Sequence, residues 1–509
     1  MDGMKKFFNY LILSILIIGM NGCGDFLEES SLDEVRPSTT DDLEQLLLGE
    51  GYLRQDCLFP YLELLTDNVQ NNYTPDIRMQ NLVQQGIPVY SWEPDMFEKM
   101  TEAGTSGIDT WELLYSKIKG CNVILGMHDK VFGEESVKLN QRGQALALRG
   151  FYYFLLVNTF AEPYTKEGID VNKALGIPLI LSSEVKDDFP AREPLAKVYG
   201  QIEADLLEAV DLLDKYGQDN VIFKVTPLFA YNLLSRVYLY MGNWRKAADY
   251  ASIVIERKPQ LRRLSDYTEI NDFFGTASFD QENGGVFAYN SPELIWGYGD
   301  DKIDEAFFTA PDTWNYPGSL PVFNVDKDFL DSYDVNDLRK IAFYRVWAEF
   351  NWETMTAVTG ILGGQKADWW NDPSCSSRGM RTAEAYLNRA EANIRLALEN
   401  GNAQLKANAL QDLNYLRKHR YTDSYEDITE GEVGDLLEFC LTERRKELAF
   451  EDHRWFDLRR CGMPEFVHEY TITEGQVQTS KLIQGSNRYT LPIPKKVLEK
   501  NPALIQNPQ

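Results

Sequence analysis

The sequence predicts a mainly α fold, built from tetratricopeptide-like helical hairpins with a small strand-and-loop region, and three observations predict it. From Leu441 to Arg460, LTERRKELAFEDHRWFDLRR, apolar residues recur at seven-residue steps as Leu441, Leu448 and Trp455, with Ala449 and Phe456 alongside. That is the stripe of an amphipathic helix. Val198, Ile202, Leu206, Ala209 and Leu213 make a second stripe. Tyr231, Leu234, Ser235, Tyr238, Ala247, Ala251 and Pro259 stand at the spacings of a tetratricopeptide repeat, three of them replacing the consensus residue. Gly242-Asn243 then turns the chain, and Ala247 and Ala251 permit close helix packing.

Taken in order, the chain begins with Lys5 and Lys6 ahead of an apolar run, Phe7 to Ile18, that ends Met20-Asn21-Gly22-Cys23. The run is short for a bilayer span and has the layout of an export signal, 1–22, whose end resembles a lipoprotein cleavage box. A short membrane anchor that stays attached is the other reading. With cleavage, Cys23 becomes the acylated first residue, and several acyl chains on one cysteine anchor firmly. Thr39, Thr40 and Asp41 then read as a helix start. From Thr66 to Pro94 the chain turns polar and broken, with Asn68, Asn71, Asn72, Pro75, Gly86 and Pro88, and reads as a long loop carrying Arg78, Tyr90 and Trp92. Helical period returns at Trp111, Leu114, Tyr115 and Ile118, and again over 144–160, 194–216, 382–400 and 403–420.

Between these helices, Gly285 to Gly299 and Phe343 to Trp352 read as strands that pair in a small sheet. Phe307 to Ser319 and Asp368 to Pro373 are too rich in proline, glycine and polar residues for either regular element, yet they hold Trp314, Tyr316 and Trp370. Around the C-terminal stripe stand Glu443, Arg444, Arg445, Glu447, Glu451, Arg454, Asp457 and Arg459. They are either a solvated charged face or an arginine-carboxylate network that ties several helices together.

Composition sets outer limits. The 509 residues are 44% hydrophobic and 25% charged, ordinary for a globular chain, and the net charge of −27 argues against nucleic acid as a partner. Cys57, Cys121, Cys375, Cys440 and Cys461 contain no C-x-x-C pair, and His128, His419, His453 and His468 form no H-E-x-x-H, so no metal or cofactor is expected. Mostly free, buried thiols are expected, with Cys440 and Cys461 the pair to form if any does. No G-x-S-x-G, phosphate loop or dinucleotide fingerprint is present, and carboxylate pairs are unavoidable among 78 acidic residues, so the chain is not read as an enzyme.

The C-terminal segment 441–460 resembles the closing signature of the SusD/RagB family of surface nutrient-binding lipoproteins. Tyr489 to Pro494, Asn501-Pro502, Leu504 and Gln506 to Pro508 continue the likeness, as do Trp111, Tyr115, Ile118 and Asn122. The resemblance implies one domain over 23–509, with four helical hairpins about 144–258 and 382–420 packed as a curved scaffold. It also implies a ligand region about 285–375 and a structural signature over 441–508. It further implies an outer-membrane lipoprotein facing the cell surface, which captures oligosaccharide for a SusC-like TonB-dependent transporter. A peptide-capturing RagB-like protein, or a transporter lid without its own ligand site, is the alternative. A sugar ring stacks its C–H face on an indole while nearby amide and guanidinium groups bond its hydroxyls. The candidate glycan contacts are therefore Trp92, Trp314, Tyr316 and Trp370, with Arg78 and Asn315. For each, anchoring of its loop into the scaffold is the competing role.

Overall fold

The structure is a computed structural model that describes residues 37–53, 58–105, 108–184, 188–219, 221–271, 276–299, 307–312, 315–316, 319–351, 356–366 and 378–509. The expected signal segment and Cys23 lie outside them. The mainly helical expectation holds. The helices are α1 (Thr40–Leu46), α2 (Ile77–Tyr90), α3 (Met96–Glu102), α4 (Thr110–Met127), α5 (Glu135–Phe160), α6 (Leu195–Tyr216), α7 (Pro227–Tyr240), α8 (Trp244–Arg257), α9 (Thr382–Asn400), α10 (Ala403–Lys418), α11 (Leu436–Leu448), α12 (Arg454–Arg460) and α13 (Lys495–Lys500). Short helical turns fill the connections.

The scaffold is a row in which α4 packs on α5, α5 on α6, α6 on α7, α7 on α8, α8 on α9 and α9 on α10. Each contact follows from the sequence stripes. The α6 stripe Val198, Ile202, Leu206, Ala209 and Leu213 is fully buried. Opposite it, Gly143 and Gly150 of α5 leave room for Leu213 and Leu206, whose atoms lie 3.0 and 3.1 Å from where a Cβ would stand. Arg149 of α5 adds a two-pronged bond to Asp205 of α6, at 2.8 and 2.7 Å. In the α7–α8 hairpin, Ala247 and Ala251 are buried, Ser235 Oγ donates to the Ala247 carbonyl at 3.0 Å, and Tyr238 stacks on Tyr250. Gly242 supplies the turn with φ +72°, a left-handed value that costs a side-chain-free residue little.

The strands form two-stranded antiparallel ladders only, among the described residues: β1 (Val69–Asn71) with β5 (Phe323–Val325), β2 (Thr268–Asn271) with β3 (Thr276–Phe279), and β4 (Leu294–Tyr298) with β8 (Arg378–Arg381). β6 (Tyr344–Asn351) pairs with β7 (Thr356–Gly364), and β9 (Phe466–Thr473) with β10 (Gln476–Leu482). The expected pairing of 285–299 with 343–352 is corrected here. β6 closes a local hairpin with β7, which needs only a short loop, whereas β4 takes β8, the strand that leads directly into α9.

The long loop expected over 66–94 is also corrected, because α2 occupies its centre. Asp76 caps the helix by accepting from the Arg78 amide at 2.9 Å. Met79, Val83, Ile87 and Tyr90 then make a buried stripe at helical spacing. Gly86 lies where a Cβ would meet the Phe323 ring at 2.5 Å, so the helix rests directly on β5. Trp92, expected in a ligand loop, is instead core: it is wholly buried, and its Nε1 donates to the Leu65 carbonyl at 3.0 Å. It holds a left-handed backbone, φ +53°, which a non-glycine residue adopts only where its surroundings over-determine it. The surroundings are His468 of β9, sandwiched between Tyr90 at 3.9 Å and Trp92 at 4.2 Å, with its ring nitrogens 2.7 Å from the Tyr90 carbonyl and 3.0 Å from that of Thr66. Burial pulls the His468 ring down to about 4, so it is neutral near pH 7.

Of the two readings of the charged residues around the C-terminal stripe, the network is the one found. Arg381, at the end of β8, reaches Glu293 at 2.9 Å, Glu447 at 2.8 Å and Glu451 at 2.6 Å. Arg420, after α10, meets Glu293 at 2.8 Å and Glu447 at 2.9 Å and also donates to the Arg262 carbonyl. Arg339 bonds Asp337 and Glu443, Arg417 pairs with Glu443, and Lys366 pairs with Glu451. All of these side chains are buried. Burial alone would raise the Glu447 carboxyl, but the Arg420 and Arg381 guanidiniums outweigh it and hold the group well below the usual carboxylate range. Cys121, Cys440 and Cys461 are free thiols, so the 440–461 pair does not form.

Two outcomes follow. Glu447→Gln strips three buried guanidiniums of a shared carboxylate and costs about 3–5 kcal/mol, read as a lowered midpoint in denaturant. In the unaltered protein the Glu447 carboxyl is depressed only in the fold, so the unfolded chain takes up the proton first. Stability therefore falls as pH drops below the ordinary glutamate range, and Glu447→Gln flattens that acid limb. Separately, Trp92→Ala costs about 3–5 kcal/mol in the same assay, as loss of a large core side chain does.

Candidate functional site

Fastening of one irregular loop onto the start of a helix brings three of the candidate contacts onto one surface. The loop base is set by two rings: Phe307 packs edge-on against Phe323, and Phe308 against Phe450. Arg345 donates to the Phe308 carbonyl at 2.7 Å. On the exit side, Asn71 and Asn72 stitch the chain into place. The Asn71 amide donates to the Val322 carbonyl at 2.9 Å, and that of Asn72 to the Pro321 carbonyl at 2.9 Å and to Asn324 Oδ1 at 2.7 Å.

The tip is held by two carboxylates. Asp76, already the cap of α2, accepts from the Asp312 amide at 3.1 Å with its second oxygen. Asp312 in turn accepts from the Asn315 amide at 3.2 Å and from Asn315 Nδ2 at 2.7 Å, while its carbonyl takes the Tyr316 amide at 2.9 Å. Arg78 completes the group, with Nη2 3.3 Å from Asp76 and 3.7 Å from Asp312. Its side chain is 63% exposed, so the guanidinium is oriented by two acids yet open to solvent. Burial would raise the Asp76 carboxyl, but hydrogen bonds from the Asp312 amide and from Arg78 keep it low. Hydrogen bonds from the Asn315 side chain and amide lower Asp312. Both acids are thus ionised near neutral pH and act as fixed acceptors.

The structure therefore brings Arg78, Asn315 and Tyr316 onto one ridge, with Asn315 exposed and Tyr316 half-buried. It separates Trp92, which lies in the core behind α2. Trp314 and Trp370 fall outside the described residues. The sequence reading missed Asp76 and Asp312, the residues that organise the ridge. Asp76 was visible as an acid just ahead of a helical stripe; Asp312 meets it across 236 positions, which no local pattern shows. Chemically the ridge offers a planar cationic donor, an amide and a phenol ring, a set suited to bonding hydroxyls and to lying under an apolar ring face. Among the described residues, no group of three His, Cys, Asp or Glu side chains is arranged to hold a metal ion.

Comparison with known proteins gives these features a setting. A family model described as "SusD family" matches residues 371–509, and one described as "Starch-binding associating with outer membrane" matches residues 25–239. SusD-like protein P2 of Formosa agariphila is 24% identical, over 99% of this chain and 99% of its own length, and SusD-like protein P25 of the same organism is 23% identical, over 99% and 98%. Among solved structures, a putative sugar binding protein from Bacteroides vulgatus superposes with TM-score 0.67 at 24% identity, covering 93% of this chain and 99% of the other. A SusD superfamily protein from Bacteroides thetaiotaomicron gives 0.66 at 22%, covering 93% and 100%. With the helical row, the C-terminal ion network, matches at both ends of the sequence and relatives similar over its full length, the chain belongs to the SusD-like family.

Proposed function

We propose that this chain is a non-catalytic, cell-surface glycan-binding lipoprotein of the outer membrane, which captures oligosaccharide and hands it to a SusC-type TonB-dependent transporter. The observation that carries the reading is the Arg78–Asp76–Asp312–Asn315 fastening, which presents hydrogen-bonding groups and a tyrosine ring on a rigid support. Preorganisation of this kind matters for sugars, because each hydroxyl contact is individually weak and ordering a loose loop would cancel it. The family description "Starch-binding associating with outer membrane" supports both ligand class and location. The Gly22-Cys23 junction behind the apolar run supports lipid attachment. Within this reading the helical row is the surface for the transporter, and the ridge of Arg78, Asn315 and Tyr316 faces the ligand.

Calorimetry of residues 24–509 against a panel of polysaccharides and peptide pools tests the reading. Glycan binding is expected. Arg78→Ala and Asn315→Ala are expected to weaken it about tenfold each, as loss of a hydrogen bond to a charged or well-held polar group does. Trp314→Ala, a sequence-based candidate, is expected to weaken it as well. Peptide binding without glycan binding, or silence across the panel, overturns the ligand assignment, and glycan binding indifferent to all three variants overturns the site. For the anchor, Cys23→Ser is expected to release the protein from the membrane fraction into the soluble fraction.

A further inference from the structure

A cavity that shares no residue with the loop ridge lies where α4 faces the C-terminal helix α13. It encloses about 440 Å³ and is open on one side. That is within the size range of small-molecule sites. Its floor is apolar: Trp111, Pro178, Ile180, Pro190, Val497 and Leu504. Most polar groups on its wall are already engaged. Tyr115 Oη donates to the Pro178 carbonyl at 2.8 Å, and Asn501 Nδ2 to the Pro190 carbonyl at 2.9 Å. Glu112 takes Lys500 at 2.9 Å and Lys496 at 3.2 Å.

Ser116 and Lys119, both exposed on α4, are the exceptions, and the charged one is Lys119. It lines the cavity, is exposed, and has no hydrogen bond or ion pair among the described residues. Trp111, Tyr115 and Lys119 follow one another at four-residue steps, so they share a face of α4. From the indole to the lysine the helix rises about 12 Å. Two lysines, 119 and 500, against the single acid Glu112 make the mouth locally cationic, in a chain whose net charge is −27.

We infer that this cleft binds an amphipathic organic anion: an apolar body that fills the space over Trp111 and Leu504, and a carboxylate or sulfonate that meets Lys119. The spacing selects a molecule about 10–12 Å long, because its anionic end must reach Lys119 while its body lies on the floor. A neutral sugar is a poor fit, since a floor of two prolines, an indole and aliphatic side chains leaves most of its hydroxyls unbonded.

The test uses 1-anilinonaphthalene-8-sulfonate, an amphipathic anion whose fluorescence rises in apolar sites, with folded residues 24–509. Saturable binding at one site is expected. Lys119→Glu, an exposed substitution, is expected to weaken it about tenfold by replacing attraction with repulsion. Leu504→Trp is expected to abolish it by filling the floor. Decanoate should displace the probe, and uncharged 1-decanol should do so about tenfold less well. Absence of saturable binding, binding unchanged in both variants, or equal displacement by acid and alcohol overturns the proposal. Should Leu504→Trp fail to fold by circular dichroism, Lys119→Glu and the competition pair decide it alone.

Discussion

Glu447 is the point on which the structure depends. One carboxylate, wholly enclosed, takes bonds from Arg381 and Arg420 and lies 3.4 Å from Arg339. Those three guanidiniums come from the end of β8, the end of α10 and a helical turn after β5, elements with no reason to meet through apolar packing alone. A buried ion costs several kcal/mol to desolvate, so such groups persist only where geometry and pairing are good. Here Glu293, Glu443, Glu451 and Asp337 supply the remaining acceptors, and Lys366 and Arg417 the remaining cations. The network acts as a positional constraint: shift any element by an ångström and a charge is left without its partner.

The ridge inherits that constraint at one remove. β5 and the 307–319 loop pack against α2, α2 against the β9–β10 hairpin through Tyr90, Trp92 and His468, and Asp67 beside that hairpin is gripped by Arg454 and Arg445 of the C-terminal signature. Burial would raise the Asp67 carboxyl, but Arg454 and then Arg445 hold it near 2. Rigid support under a polar, exposed surface is the arrangement that lets weak contacts add up.

How much of this was legible in the sequence depended on the range of the interaction. The α6 and α7–α8 stripes were readable because helical period is a local property, and Gly242-Asn243 marks its own turn. α2 was missed although Met79, Val83, Ile87 and Tyr90 repeat correctly, because Gly86 and Pro88 read as breakers. Gly86 is required by the Phe323 ring, and Pro88 forfeits one amide bond but stands two residues from the helix's end, so little helix remains for it to break. The β4–β8 ladder was missed because nothing local distinguishes one short strand's partner from another's. Trp92 was misplaced for a related reason: a tryptophan among polar residues looks exposed until the histidine that covers it arrives from position 468. The charged helix was the opposite case. Its residues were all in view, yet period alone could not separate a solvated face from a buried network.

The order of residues in the network also dictates an order of assembly. Arg339, Arg381 and Arg420 all precede Glu443, Glu447 and Glu451 along the chain, so during synthesis the cations emerge with only Glu293 and Asp337 of their partners, and three of the five acids come last. Until the final stretch is delivered, closing the second half of the helical row would enclose guanidiniums with too few carboxylates, at a cost of several kcal/mol each. The polypeptide thus stays open until it is nearly complete. Under the surface location proposed above, that delay keeps the chain threadable, because the acids that lock the fold would be among the last residues to cross.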